Sequence, residues 1–173
     1  MRFGLSIAAA VILLDQAAKY ALLEWVMRPA GVMETPFLTD KIIELLPFFN
    51  LRMAWNTGIS FSMFDGGGIT TYVLLAVQMT ITAGLIWWLR TLTGSLIQCA
   101  TGLIIGGAIG NIIDRIRWGA VADFFDFHVG GWHFATFNVA DSCISIGVAL
   151  WLLDAVINRH HHKGEIKEPT GHA

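Results

Sequence analysis

The stretch GLIIGGAIGNIIDRIRWGAVADFFDFHVGGWHFATFNVADS, residues 102–142, decides how the rest of the chain is read. It begins as an apolar run with glycines at Gly102, Gly106 and Gly110 and ends that run in Asn111-Ile-Ile-Asp114-Arg115. Asp123 and Asp126 follow, and Asn138-Val-Ala-Asp141 opens another apolar run. Four carboxylates therefore lie beside sequence suited to lipid. An ionisable group near the hydrocarbon centre costs roughly 2.5–3.5 kcal/mol by insertion scales, so each is a functional candidate.

Working outward, 55% of the 173 residues are hydrophobic and 14% are charged, against about 25% charged in ordinary soluble domains. This composition predicts an integral membrane protein with one compact domain, residues 1–158, and a polar tail, residues 159–173. The net charge of -2 offers no basic patch to neutralise phosphates, which excludes a nucleic-acid partner. Cys99 and Cys143 sit in different apolar runs and read as small buried hydrophobes. The run His160-His161-His162 lies in the tail and is not taken as a metal site; no metal or cofactor is expected.

Four spans are predicted, at about residues 3–26, 69–89, 96–113 and 138–157, each long enough for a hydrocarbon core of about 30 Å. The first could pass for a signal peptide. Cleavage after Ala17 or Ala18, however, would put Asp15 or Gln16 where a small residue is wanted, so a retained helix is expected. Asp15 and Lys19 are an i, i+4 pair on it, read as a structural ion pair. The second span carries no charge and ends in Trp87-Trp88 and Arg90, an interface anchor. In the third, the four-residue glycine spacing lets another helix approach closely, or offers a groove for a peptide.

Between the first two spans, residues 27–68 contain Pro29, Pro36 and Pro47 and read as an extramembrane loop. A short helix is expected near Asp40 to Leu46, then one or two strands across Phe48 to Phe64, turned at Asn56-Thr57-Gly58. Residues 115–136 form a second polar excursion. Four spans put both termini on one side of the membrane and both excursions on the other, with Asp114 and Asp141 at the same face. Arg2, Arg90, Arg159, Lys163 and Lys167 on one side balance Arg28, Lys41, Arg52, Arg115 and Arg117 on the other, so the positive-inside rule does not orient the chain.

Two carboxylates within about 3 Å cannot both ionise and share a proton. Such a pair can activate water with one member while the other polarises a carbonyl, which is peptide hydrolysis without a metal. Asp114 has Arg115 beside it and Asn111 three residues before it, so it reads as locally satisfied and structural. Asp123 and Asp141 have apolar flanks and no adjacent cation, and are the better titrating partners. His128 and His133 read as interfacial polar residues.

The runs Gly106-Gly-Ala-Ile-Gly-Asn111-Ile-Ile-Asp114-Arg115, Gly119-Ala-Val-Ala-Asp123-Phe124 and Phe137-Asn138-Val-Ala-Asp141-Ser142 closely resemble the lipoprotein signal peptidases, the type II signal peptidases of bacteria. Asp15-Gln16-x-x-Lys19 is similar to that family's first motif and Asn56-Thr-Gly-Ile-Ser-Phe61 to its Asn-x-Gly-Ala-x-Phe motif. Ile59-Ser60 replaces the usual small pair, and Ala135 stands where many members have proline.

The resemblance implies an all-α membrane protein of four transmembrane helices, with a small β-containing periplasmic subdomain between helices one and two. It implies an aspartic endopeptidase of the bacterial inner membrane, which removes the signal peptide of a prolipoprotein just before its diacylglyceryl-modified cysteine. On it the catalytic pair is Asp123 and Asp141. Asn56, Asn111, Arg115 and Asn138 hold substrate or dyad, and Asp15, Lys19 and Asp114 are supporting polar residues. The active site faces the periplasm and both termini the cytoplasm. The implied partners are diacylglyceryl-prolipoprotein and membrane lipid, with a monomeric enzyme inhibited by cyclic peptide antibiotics of the globomycin type. The rival from the residues alone is a small proton-coupled transporter or channel subunit, because intramembrane aspartates also mark proton relays.

Overall fold

The structure, a computed structural model, describes the backbone of residues 1–58 and 68–164 and the side chains of residues 1–58 and 71–157. Helix α1 (Arg2–Ala21) runs into a π-helical turn (Leu22–Met27), and α2 (Gly68–Trp88), α3 (Ser95–Trp118) and α4 (Val139–Gly164) follow. Among the described residues these four helices are long and apolar enough to cross a membrane. Helix α3 is the centre: two-thirds of its apolar window (67%) is buried inside the protein, against 6% for α2.

The glycines explain that centrality. A Cβ on Gly102 would overlap the Gly4 carbonyl oxygen, and one on Gly106 would lie 2.7 Å from the Ala8 oxygen, so α1 rests directly on this face. The other face of α3 meets α4, where a Cβ on Gly107 would overlap the Ala140 oxygen and one on Gly147 would lie 2.7 Å from that of Ala100. Of the two readings of Gly102, Gly106 and Gly110, helix packing holds: α1 lies along this face and leaves no peptide groove there. At the far end, the Met1 amino group donates to Gln98 Oε1 (2.9 Å) and Trp88 packs edge-on against Trp151, which closes the bundle around the α2–α3 turn.

At the opposite end sits one antiparallel sheet of order β1-β2-β3-β4: β1 (Ile42–Leu46), β2 (Phe49–Asn56), β3 (Val121–Val129) and β4 (Trp132–His133). Two expectations are corrected here. Residues 42–46 are a strand, not a helix: Ile42 and Ile43 are β-branched, Leu46 precedes a proline that disfavours the helical backbone, and pairing with β2 satisfies the chain. Nor does the sheet belong to the first loop alone, since β3 and β4 come from the excursion between α3 and α4.

Gly119 makes that excursion possible. It caps α3 in the left-handed region (φ 72°), with its N–H on the Arg115 oxygen (3.0 Å), and swings the chain into β3. Gly130 and Gly131, both at positive φ, form the two-residue turn to β4. The turn expected at Asn56 begins with Asn56 Oδ1 accepting the Gly58 N–H (3.2 Å). The remainder of the expected strand to Phe64, with Ile59 and Ser60, lies outside the described residues, as does the tail beyond Gly164.

Candidate active site

Three elements converge where the sheet meets the helix ends. The first is the start of α4. Asn138 is its N-cap: its Oδ1 accepts the Asp141 N–H (2.9 Å), while Asp141 Oδ2 accepts the Asn138 N–H (3.2 Å). This reciprocal arrangement is a capping box with Asp141 as its acidic member, so helix initiation fixes this carboxylate. The second is β3. Phe137 exchanges backbone hydrogen bonds with Phe125 (2.8 and 3.1 Å), which lays Asn138 alongside Asp123.

The third is β2. Its register with β3 slips between Leu51 and Ala54, leaving Arg52 and Met53 opposite Phe124 alone. A bulge of this kind re-aims the residues beyond it. Beyond it Ala54 pairs with Asp123, and Asn56, two residues on, reaches Asp123 Oδ2 through its Nδ2 (3.2 Å).

Asparagine N–H groups from three elements thus serve the two carboxylates. Asp123 Oδ1 accepts from Asn138 Nδ2 (2.7 Å) and Oδ2 from Asn56; Asp141 Oδ1 accepts from Asn111 Nδ2 (2.7 Å) and Oδ2 from the Asn138 backbone. Asp123 is buried, and its carboxyl is pushed up to about 7, first by burial and then by the Asp141 charge. Below about pH 7 Asp123 therefore holds its proton.

A raised carboxyl binds its proton more tightly in the folded chain than in the unfolded one. Its contribution to stability is therefore fully present below the ordinary carboxylate range and is lost as pH rises through about 7. Thermal unfolding across pH 4 to 9 should show the wild type losing stability over this window relative to Asp123→Asn. Parallel pH dependence of the two proteins would contradict the assignment.

Arg115 donates to Gln78 Oε1 (3.0 Å), and its buried Nε has no partner among the described residues. Asp15 and Lys19 form the expected pair (2.8 Å), but Lys19 also bridges to Asp114 (2.6 Å). Asp114 is therefore satisfied from α1, and by Gln16 Nε2 (3.0 Å) and the Ala122 N–H (3.2 Å), rather than by Arg115 and Asn111 as its neighbours suggested. Asp126 is outside this constellation. Strand alternation turns it to the other face of β3, where both its oxygens lie 2.9 Å from His133 Nδ1. Gln16 and Gln78 were not predicted as site residues. Gln78 had a signal, a long amide inside a span free of charge, where an uncompensated polar group is costly.

Asn138→Ala removes the cap of α4 and the shortest bond to Asp123 together. It should cost about 1–2 kcal/mol of stability, read by thermal unfolding, and disturb both carboxylates. A variant as stable as wild type would show that the cap is not holding the site.

Fold and geometry together define a multi-pass membrane protein in which a buried aspartate, Asp123, and a half-buried one, Asp141, are held side by side by shared asparagines. Residues 7–157 match the family described as Signal peptidase (SPase) II, and the chain belongs to that family. It is 41% identical to the lipoprotein signal peptidase of Coxiella burnetii strain RSA 331 over 151 residues, 85% of each chain. It is 42% identical to that of Sphingopyxis alaskensis over 160 residues, 91% of this chain and 87% of that one. Among solved structures, it resembles two bacterial membrane enzymes determined by the in meso method. One has a TM-score of 0.69 at 27% identity, covering 90% of this chain and 93% of that one; the other has 0.72 at 24%, covering 100% and 96%, and bears on the fold alone.

Proposed function

We propose that Asp123 and Asp141 are the catalytic pair with which this membrane peptidase removes the signal peptide from diacylglyceryl-modified prolipoproteins, cutting just before the lipidated cysteine. The observation that carries this reading is the shared hydrogen-bond network, in which every oxygen of both carboxylates accepts an N–H and Asn138 serves both. Asp141 takes a proton from water as the water oxygen attacks the scissile carbonyl. Asp123 donates its proton to the carbonyl oxygen, giving a neutral tetrahedral intermediate. Its collapse breaks the C–N bond and protonates the leaving nitrogen, so a signal-peptide acid and the free amino group of the lipidated cysteine depart. Both carboxyls return to their starting states.

Asn56, Asn111 and Asn138 hold the pair in register. Arg115 lines a cleft of about 440 Å³ with Thr71, Tyr72, Leu75, Ile116 and Gly119, between α2 and the end of α3. This cleft, not the glycine face, is where substrate approaches laterally while its acyl chains stay in lipid. All residues of the network come from one chain, which fits a monomer. Residues 1–158 act as one peptidase domain in the bacterial inner membrane, with the sheet and both carboxylates toward the periplasm and the termini and tail cytoplasmic. Cyclic peptides of the globomycin type would compete for the same site.

Because Asp123 must be protonated to act as the acid, kcat should fall as pH rises above about 7. A pH–rate profile still climbing at pH 9 would exclude this role. The function itself is tested with purified protein in detergent and a diacylglyceryl-modified prolipoprotein: a shorter lipoprotein is expected on a gel. An intact precursor, with ion flux in proteoliposomes instead, would favour the transporter that the sequence alone left open.

A further inference from the structure

Lys19 is fully buried, as are Asp15 and Asp114, and its ammonium contacts Asp15 Oδ2 (2.8 Å), Asp114 Oδ2 (2.6 Å) and Asn111 Oδ1 (3.3 Å). Each contact continues toward the dyad. Asp15 Oδ1 accepts the N–H of Ala140 (2.9 Å), the residue before Asp141. Asp114 Oδ2 accepts the N–H of Ala122 (3.2 Å), the residue before Asp123. Asn111, its oxygen turned to Lys19 and to Asn138 Nδ2 (3.2 Å), must present its Nδ2 to Asp141.

We propose that Lys19 is a positioning residue of the cleavage reaction, setting through these three arms the separation and orientation of Asp123 and Asp141. The proposal rests on the reading of that pair as catalytic. Stability does not account for the arrangement, because a buried ion triad can often be replaced by apolar residues of similar volume without loss. What an apolar replacement cannot do is hold α4, β3 and the Asn111 amide from one point on α1. The charged groups around Asp123 are Lys19 from α1, Arg115 and Asp114 from α3, and Asp141 from α4. Lys19 favours the ionised form of Asp123.

Three variants test this: Lys19→Met, the charge-free triple Asp15→Asn/Lys19→Met/Asp114→Asn, and Asp114→Asn. The last leaves a neutral Asp15–Lys19 pair and an amide of the same shape. Each is purified in detergent, checked by thermal unfolding, and assayed on a diacylglyceryl-modified prolipoprotein beside Asp123→Asn and Asp141→Asn.

A misplacement of about 1 Å should lower kcat about 100-fold in Lys19→Met and in the triple variant, and about tenfold in Asp114→Asn. KM should stay within about threefold. The alkaline limb of the Lys19→Met pH profile should move to higher pH. If Lys19→Met does not fold, the triple variant carries the comparison, and Asp114→Asn carries it if neither folds. A folded variant with wild-type kcat and pH profile overturns the positioning role while the dyad reading stands. Full activity in Asp123→Asn or Asp141→Asn overturns the dyad and the role of Lys19 with it.

Discussion

Asp123→Asn and Asp141→Asn should each lower kcat for prolipoprotein cleavage by about 10³-fold while leaving a folded protein, the loss expected when a general acid or base is removed. The substitutions are isosteric, so the packing of β3 and the start of α4 survives. At position 141 the amide can no longer take a proton from water, although one oxygen remains to accept an N–H. At position 123 the amide cannot supply the proton that Asp123 holds up to about pH 7. Asp126→Asn, across the strand and paired with His133, should retain most activity. Equal losses in all three variants would mean that carboxylates on both faces of β3 and at the start of α4 matter alike to the fold, and the chemistry would need another home.

Gly107→Val should destabilise the protein by about 3 kcal/mol and abolish activity, the larger end of what overpacking costs. The added Cβ would overlap the Ala140 carbonyl oxygen and lie 2.8 Å from Ile144 Cγ1, so α4 must move away from α3. That movement carries Asn138, Ala140 and Asp141, and with them the capping box and the bond from Ala140 to Asp15. Gly84→Val on α2 is the comparison. A Cβ there meets nothing within 4 Å, and the change should be within about 0.5 kcal/mol. Thermal unfolding in detergent separates the two; indistinguishable midpoints would show that α3 and α4 are not locked by this contact.

The helices were legible because their apolar runs are long and bounded by Gly, Pro, Trp and Arg. The pairing of Asp123 with Asp141 was legible from their apolar flanks and from the family motifs. What local sequence hid were relations between segments. Residues 42–46 look helical only until β2 is placed beside them. Asp114 appears to have partners at Asn111 and Arg115, yet its charge is met by Lys19, far away in the chain. The glycine stripe allowed either a helix or a peptide, and only the position of α1 decides. The bulge that aims Asn56 at Asp123 exists only as a register between two strands, so no single stretch could announce it.

Everything proposed for this chain depends on peptide cleavage by the Asp123–Asp141 pair. It is tested most directly by incubating a diacylglyceryl-modified prolipoprotein with folded wild type, Asp123→Asn or Asp141→Asn and weighing the products by mass spectrometry. A cut immediately before the lipidated cysteine is expected with wild type, and intact precursor with either variant. Cleavage by either folded variant at the wild-type rate, or none by wild type, would contradict it.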